Sequence, residues 1–280
     1  MSPWLPPALF ALVIWAVQRV VSKAALSRLT TRKFYLLNAA ISFVVYLPYV
    51  LYNPPAAARL PGALGLSALM AATFWVTTEA LRRGPLGRVS PLTSLSPALT
   101  AILAVAILGE SLAGRHLAGL AAATPAVALL SFRSDGRSEG GEQRAGWLPL
   151  TLASLAMQGV GAFLAKLVVT PAGPSLLLLS SSGLQLLIGL SLAPGAGWTT
   201  ADLRGGLIRA TAAVMCLAGI ATIGYLYALS VGPASLIVPL VATSPALAGV
   251  MGIVVLRERA SRTQLAGMAL GLLGAVLLAS

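Results

Sequence analysis

Residues 79–119 read EALRRGPLGRVSPLTSLSPALTAILAVAILGESLAGRHLAG, and residues 227–267 read YALSVGPASLIVPLVATSPALAGVMGIVVLRERASRTQLAG. The two stretches align without a gap at a constant offset of 148. That register sets Ala80-Leu81 over Ala228-Leu229, Gly84-Pro85 over Gly232-Pro233, Pro91 over Pro239, Ser96-Pro97 over Ser244-Pro245, Glu110 over Glu258 and Gly119 over Gly267. Chance likeness between apolar stretches does not keep prolines, glycines and a glutamate in step, so the chain carries an internal duplication. Upstream the offset falls to 143, which pairs Trp15 with Gln158 and Lys23 with Lys166; an insertion or deletion between helices accounts for the change.

The duplicated unit is a membrane unit. Of the 280 residues, 58% are hydrophobic and 9% charged, against roughly 45–50% and about 25% in a soluble domain. Mean hydropathy is +0.89. Ten apolar stretches, near 5–24, 34–52, 62–81, 89–108, 113–132, 148–168, 174–193, 206–229, 233–256 and 262–279, have the length of about 20 residues that spans a bilayer core. The expectation is therefore an all-α integral membrane protein, a ten-helix bundle. The first stretch has no basic region before it and is too long for a cleavable leader, so it reads as a retained helix. The net charge of +12 sits in short loops between apolar helices, which fits membrane orientation rather than nucleic acid.

Five helices per copy is an odd number, so the second copy must enter the bilayer from the opposite face, giving two inverted five-helix repeats with a site near the midplane between them. The first repeat takes residues 1–132 and the second 148–280, joined by a linker over 133–147. Within it, RSDGRSEGGEQRAG at 133–146 replaces the apolar pattern with Gly, Ser and six charges and reads as a water-exposed connection.

These features resemble the drug/metabolite transporter superfamily, and its EamA-type members in particular. The resemblance rests on Trp15 with Lys23 eight residues on, on the motif A-L-x-x-G-P-x5-P at Ala80–Pro91 and again at Ala228–Pro239, and on L-x-E with a glycine nine residues later at Glu110/Gly119 and Glu258/Gly267. It covers nearly the whole chain. It implies a cell-membrane carrier, in the plasma or bacterial inner membrane, that exports or exchanges small metabolites such as amino acids by alternating access, with a coupling ion or proton among its partners. It also implies that the last helix of each half serves as a packing or homodimer contact. The chain departs from the family pattern at Glu79, where an aromatic such as Tyr227 is commoner, and at His116, where the other copy has Gln264.

The residues suggest where a substrate would sit. Ser96-Pro97 and Ser244-Pro245, with Pro91 and Pro239 six residues before them, are expected to kink the fourth and ninth helices, because an interior proline has no N–H and clashes with the carbonyl four residues back. Freed carbonyls are tolerated in hydrocarbon only beside protein or a watery cavity, so Ser94, Ser96, Thr243 and Ser244 are candidate cavity residues, with Trp15, Gln18, Asn38, Gln158, Tyr225 and Tyr227. Among charged candidates, Arg19, Lys23 and Lys166 either snorkel to the interface or draw an anionic substrate group inward. Glu79 is either a proton-coupling carboxylate or the ion-pair partner of Arg82 or Arg83, three and four residues on. Glu110 and Glu258, each closing a helix before a turn, are expected to cap or pair there. The cavity is expected between helices one, three and four and their counterparts six, eight and nine.

Enzyme chemistry finds little material. There is one histidine, one cysteine (Cys216) and seven acidic residues, with no glycine-rich phosphate loop, so metal catalysis and ATP-driven pumping are not expected and no cofactor is assigned. A membrane scaffold without a conducted substrate is the alternative class. Lys and Arg crowd the odd-numbered connections, which by the positive-inside rule makes those cytoplasmic, whereas the resemblance implies cytoplasmic termini.

Overall fold

A computed structural model of the chain describes residues 2–26, 31–55, 60–83, 89, 92–93, 95–131, 146–192, 194, 205–256 and 261–280. Among these residues all regular structure is helical: α1 (Leu5–Leu26), α2 (Thr31–Tyr52), α3 (Leu60–Arg83), α4 (Ser96–Leu108), α5 (Gly114–Ser131), α6 (Trp147–Ala172), α7 (Ser175–Leu192), α8 (Gly206–Val231), α9 (Ala234–Ala242), α10 (Ser244–Leu256) and α11 (Arg262–Ala279). Helices α9 and α10 form one interrupted apolar span, Ala234–Val254, which leaves ten helical segments among the described residues. Seven spans are long and apolar enough to cross a membrane by themselves. The chain is a multi-pass integral membrane protein.

Helix packing follows a reciprocal scheme. α1 lies on α8 and α6 lies on α3, while α2 packs on α7 and α5 on α11. Direction can be read from glycine positions. Gly119, early in α5, meets Leu277 and Leu278 at the end of α11, and Gly267, early in α11, meets Leu129 and Leu130 at the end of α5; these two helices run antiparallel. Likewise Leu36 and Ala39, early in α2, meet Gly189 late in α7.

Small residues make these approaches possible, as they do where lipid removes the hydrophobic drive between helices. A β-carbon at Gly274 would stand 2.9 Å from the Ala123 amide nitrogen, and one at Gly271 would stand 2.5 Å from the Ala246 β-carbon. No side chain larger than hydrogen fits either place without moving backbone.

The buried core gathers toward the end of the bundle that carries both chain termini, where Trp4, Val169, Leu177, Leu178, Leu229, Ile237 and Leu240 are packed together. Trp4 lies so close over Gly232 that a β-carbon there would overlap its ring. The bundle is therefore shut at this end.

Candidate functional site

The serine-proline pairs do not bend continuous helices, as the sequence suggests; they begin new ones. Ser96 is the first residue of α4 and Ser244 the first of α10, with Pro97 and Pro245 second. Proline is well placed in a first turn because the missing N–H is one that a helix start leaves unpaired anyway. The approach to each start is the same three-residue turn. Leu95 N–H donates to Leu92 O at 3.1 Å and Ala98 N–H to Leu95 O at 3.0 Å; 148 residues later Thr243 N–H donates to Leu240 O at 3.1 Å and Ala246 N–H to Thr243 O at 2.8 Å. Pro239 lies within α9. Pro91 and Ser94 lie outside the described residues.

Hydroxyls and one glycine fasten these breaks. Thr243, 1% exposed, donates its Oγ1 to Leu240 O at 2.6 Å, and Ser244 is equally buried. In the first copy, Thr100 Oγ1 donates to Gly159 O at 2.9 Å. A β-carbon at Gly159 would fall 2.9 Å from Ser96 O and 2.8 Å from Leu99 Cδ2, so α6 crosses the start of α4 at a point only glycine permits.

Of the polar and aromatic candidates, several serve the interfaces between halves. Gln158 Nε2 donates to Ser154 Oγ at 2.9 Å and to Thr77 Oγ1 at 3.4 Å, and Thr77 and Ser154 share a hydrogen bond of 2.5 Å; this triad joins α3 to α6. Trp15 and Tyr225 close α1 on α8 with ring centroids 5.2 Å apart at 53°. Tyr227, two residues further on, points elsewhere because two helical residues subtend about 200°; it is 44% exposed. Gln18 is half-buried on α1, one turn past Trp15.

Three of the charged candidates, Lys166, Glu110 and Glu79, have partners in the frame. Lys166 Nζ donates to the carbonyls of Leu229 and Gly232, at 2.7 and 2.6 Å, as α8 ends. Glu110 receives the first free amides of α9, Ala234 N–H on Oε1 at 2.9 Å and Ser235 N–H on Oε2 at 2.8 Å. A carboxylate at a helix N-terminus meets unpaired N–H groups and the positive end of the dipole. Glu110 thus caps a helix of the other half. Glu79 binds Arg83 Nε at 2.6 Å, four residues on. Arg19 is exposed on α1. The side chain of Lys23, and Glu258, lie outside the described residues.

One open space lies among helices of both halves. A cavity of about 470 Å³ is walled by α2, α3 and α7, and of the candidates Asn38 alone lines it. Helices α3 and α6 are joined by the Thr77–Ser154–Gln158 bonds. Tyr35 and Asn38 contribute from α2, Met70, Phe74 and Trp75 from α3, and Ser181 and Gln185 from α7. Gln185 is half-buried and lies about 200° around α7 from the exposed Leu187 at 3.6 residues per turn, while Met70, Phe74 and Trp75 are exposed, so the cavity is open along α3. Ser67 and Ser180, bonded at 2.9 Å, tie α3 to α7 behind it. The missed signal was Gln185 itself, an amide in an apolar stretch, the kind of residue that lines a bundle interior.

Comparison with known proteins agrees with this architecture. The model of the EamA-like transporter family matches twice, over residues 3–132 and 145–280. The chain belongs to the EamA-like transporter family. A solved structure described as "Crystal structure of protein" superposes with a TM-score of 0.74 at 16% identity, covering 98% of this chain and 95% of that one; at that identity the likeness speaks for the fold. A search of the curated proteins found no match. An EamA-like chain is a membrane transporter of the drug/metabolite class, so the duplicated helix breaks and the α2/α3/α7 cavity lie in a membrane transporter.

Proposed function

We propose that this EamA-like protein is a secondary carrier that moves a small organic metabolite, an amino acid or a similar solute, by alternating access. Its two halves, 1–132 and 148–280 with the linker 133–147 between them, are read as inverted copies. The antiparallel course of the equivalent pairs α2/α7 and α5/α11 supports that reading. The observation that carries the carrier proposal is the turn repeated at 92–98 and 240–246, which gives each half a hinge at membrane depth, as discontinuous helices do in alternating-access carriers. With the termini end packed shut and a cavity behind it, the arrangement corresponds to one of two end states.

Counterflow in proteoliposomes tests this. Vesicles preloaded with a metabolite extract should exchange at least one labelled solute faster than protein-free vesicles. The double variant Pro97→Ala/Pro245→Ala, which allows continuous helices across both breaks, should lose most of that exchange while still inserting. Exchange at the protein-free level for every solute class, with folded protein in the vesicles, refutes the proposal.

A further inference from the structure

We infer that the α2/α3/α7 cavity selects solutes with no formal charge, molecules with a hydrogen-bonding head and a flat apolar body. This deepens the carrier reading and rests on it. Asn38 and Gln185 face the cavity from two helices, and neither amide has a hydrogen-bond partner among the described residues. Both amides are half-buried in apolar helices, where a polar group without a partner is costly by transfer scales, and a polar molecule in the cavity would supply one. Two amides together offer donors and carbonyl acceptors, the complement of a neutral amide, carbonyl or hydroxyl head. Around them Tyr35, Phe74 and Trp75 supply aromatic walls, with Tyr35 and Phe74 centroids 6.4 Å apart. The volume of about 470 Å³ falls in the range of roughly 300–1,000 Å³ usual for small-molecule sites.

The charge selection follows from what the ionic side chains are doing. No Lys, Arg, Asp or Glu is among the described residues that line the cavity. Lys166 is bonded to two carbonyls at the end of α8, Glu110 to two amides of α9, and Glu79 to Arg83. A zwitterion or ion entering would leave water without a counter-charge, which is far costlier than burying a hydrogen-bonded neutral group. The inference therefore narrows "amino acid or similar" to uncharged derivatives.

Four probes sharing one phenyl body separate charge from shape: N-acetylphenylalaninamide (neutral), phenylalanine (zwitterion), N-acetylphenylalanine (anion) and phenylalaninamide (cation). Binding to purified full-length protein is read by thermal shift, since a ligand of the folded state raises apparent stability. The neutral probe should bind at least tenfold more tightly than the other three. Asn38→Leu and Gln185→Met, near-isosteric and apolar, should each weaken it roughly tenfold while their own melting temperatures hold or rise. Equal or tighter binding of a charged probe, or unchanged binding in both variants, overturns the inference. So does loss of the neutral probe's shift on adding phosphatidylcholine, which would assign the cavity to lipid. Counterflow keeps the two levels apart: a neutral probe that binds but does not exchange defeats the carrier reading alone, and exchange of a zwitterion that ignores Asn38 and Gln185 defeats this inference alone.

Discussion

Replacing Glu110 by glutamine removes one charge and leaves the side-chain shape nearly unchanged, which makes it a clean probe of the contact that holds the termini end shut. The carboxylate receives Ala234 N–H and Ser235 N–H at 2.9 and 2.8 Å. At roughly 1.5–3 kcal/mol for a hydrogen bond to a charged group, the pair is worth about 3–6 kcal/mol. Glutamine keeps one neutral acceptor, worth about 1 kcal/mol, and turns its NH2 toward a second donor. Because Glu110 is only half-buried and partly screened, the low end applies, a net loss of about 2 kcal/mol. For a chain of 280 residues, at the large end of the size scaling, this lowers the melting temperature by about 4 °C. Lys166→Met should cost a similar amount by orphaning the Leu229 and Gly232 carbonyls.

The opposite charges of Glu110 and Lys166 also attract each other across the turn at Gly232. The double variant should therefore lose less than the two single losses combined. Accessibility supplies the second readout. Ser235 is fully buried, so after the native Cys216 is changed to serine, Ser235→Cys should resist an impermeant maleimide in the parent and label several-fold faster with Glu110→Gln. A Glu110→Gln protein that melts and labels like the parent refutes the reasoning, because the cap would then hold nothing.

Three further outcomes are expected. Gly159→Val should destabilise by about 1–3 kcal/mol through overpacking on Leu99 and Ser96 O, whereas Gly161→Ala, with nothing within 4 Å of the new β-carbon, should melt like the parent. Glu79→Gln should shift the melting temperature by no more than about 2 °C, since a half-exposed i,i+4 pair is worth roughly 0.3–0.5 kcal/mol; loss of the pH dependence of flux in that variant would instead assign Glu79 to proton coupling. Alanine at Trp15, Gln18 or Gln158 should impair exchange with insertion intact, and undiminished flux in all three would remove them from the transport path.

The ten spans and the duplication were legible because both are carried by local sequence: stretches of apolar residues, and prolines and glycines repeated in register. Span ends agree within a few residues for most helices; α4 departs most, starting at Ser96 where hydropathy continues back to 89. Hydropathy runs through the break before Ser96 without a change, whereas the proline marks where the ladder restarts. Side-chain destinations were less legible. Lys166 near a helix end reads as a snorkelling or substrate-drawing cation, and only the tertiary fold brings the α8 carbonyls to its Nζ. Asn38 and Gln185 sit in different halves, and only the packing of α2 on α7 places them in one cavity.

The distribution of charge then takes on a meaning that composition alone does not give. In hydrocarbon an ion is retained where its removal would leave backbone groups unpaired, and the helix termini at the closed end are such places: α8 ends in carbonyls that need donors, and α9 begins with amides that need an acceptor. Lys166 answers the first need from α6 within the second half, and Glu110 answers the other from the turn after α4, so its contact crosses between the two halves. On the carrier reading proposed above, opening that end breaks the Glu110 bonds to α9, whereas no Lys, Arg, Asp or Glu is among the described residues of the cavity wall. On that reading the ionic contacts govern which end is shut, and neutral hydrogen bonds govern what is carried.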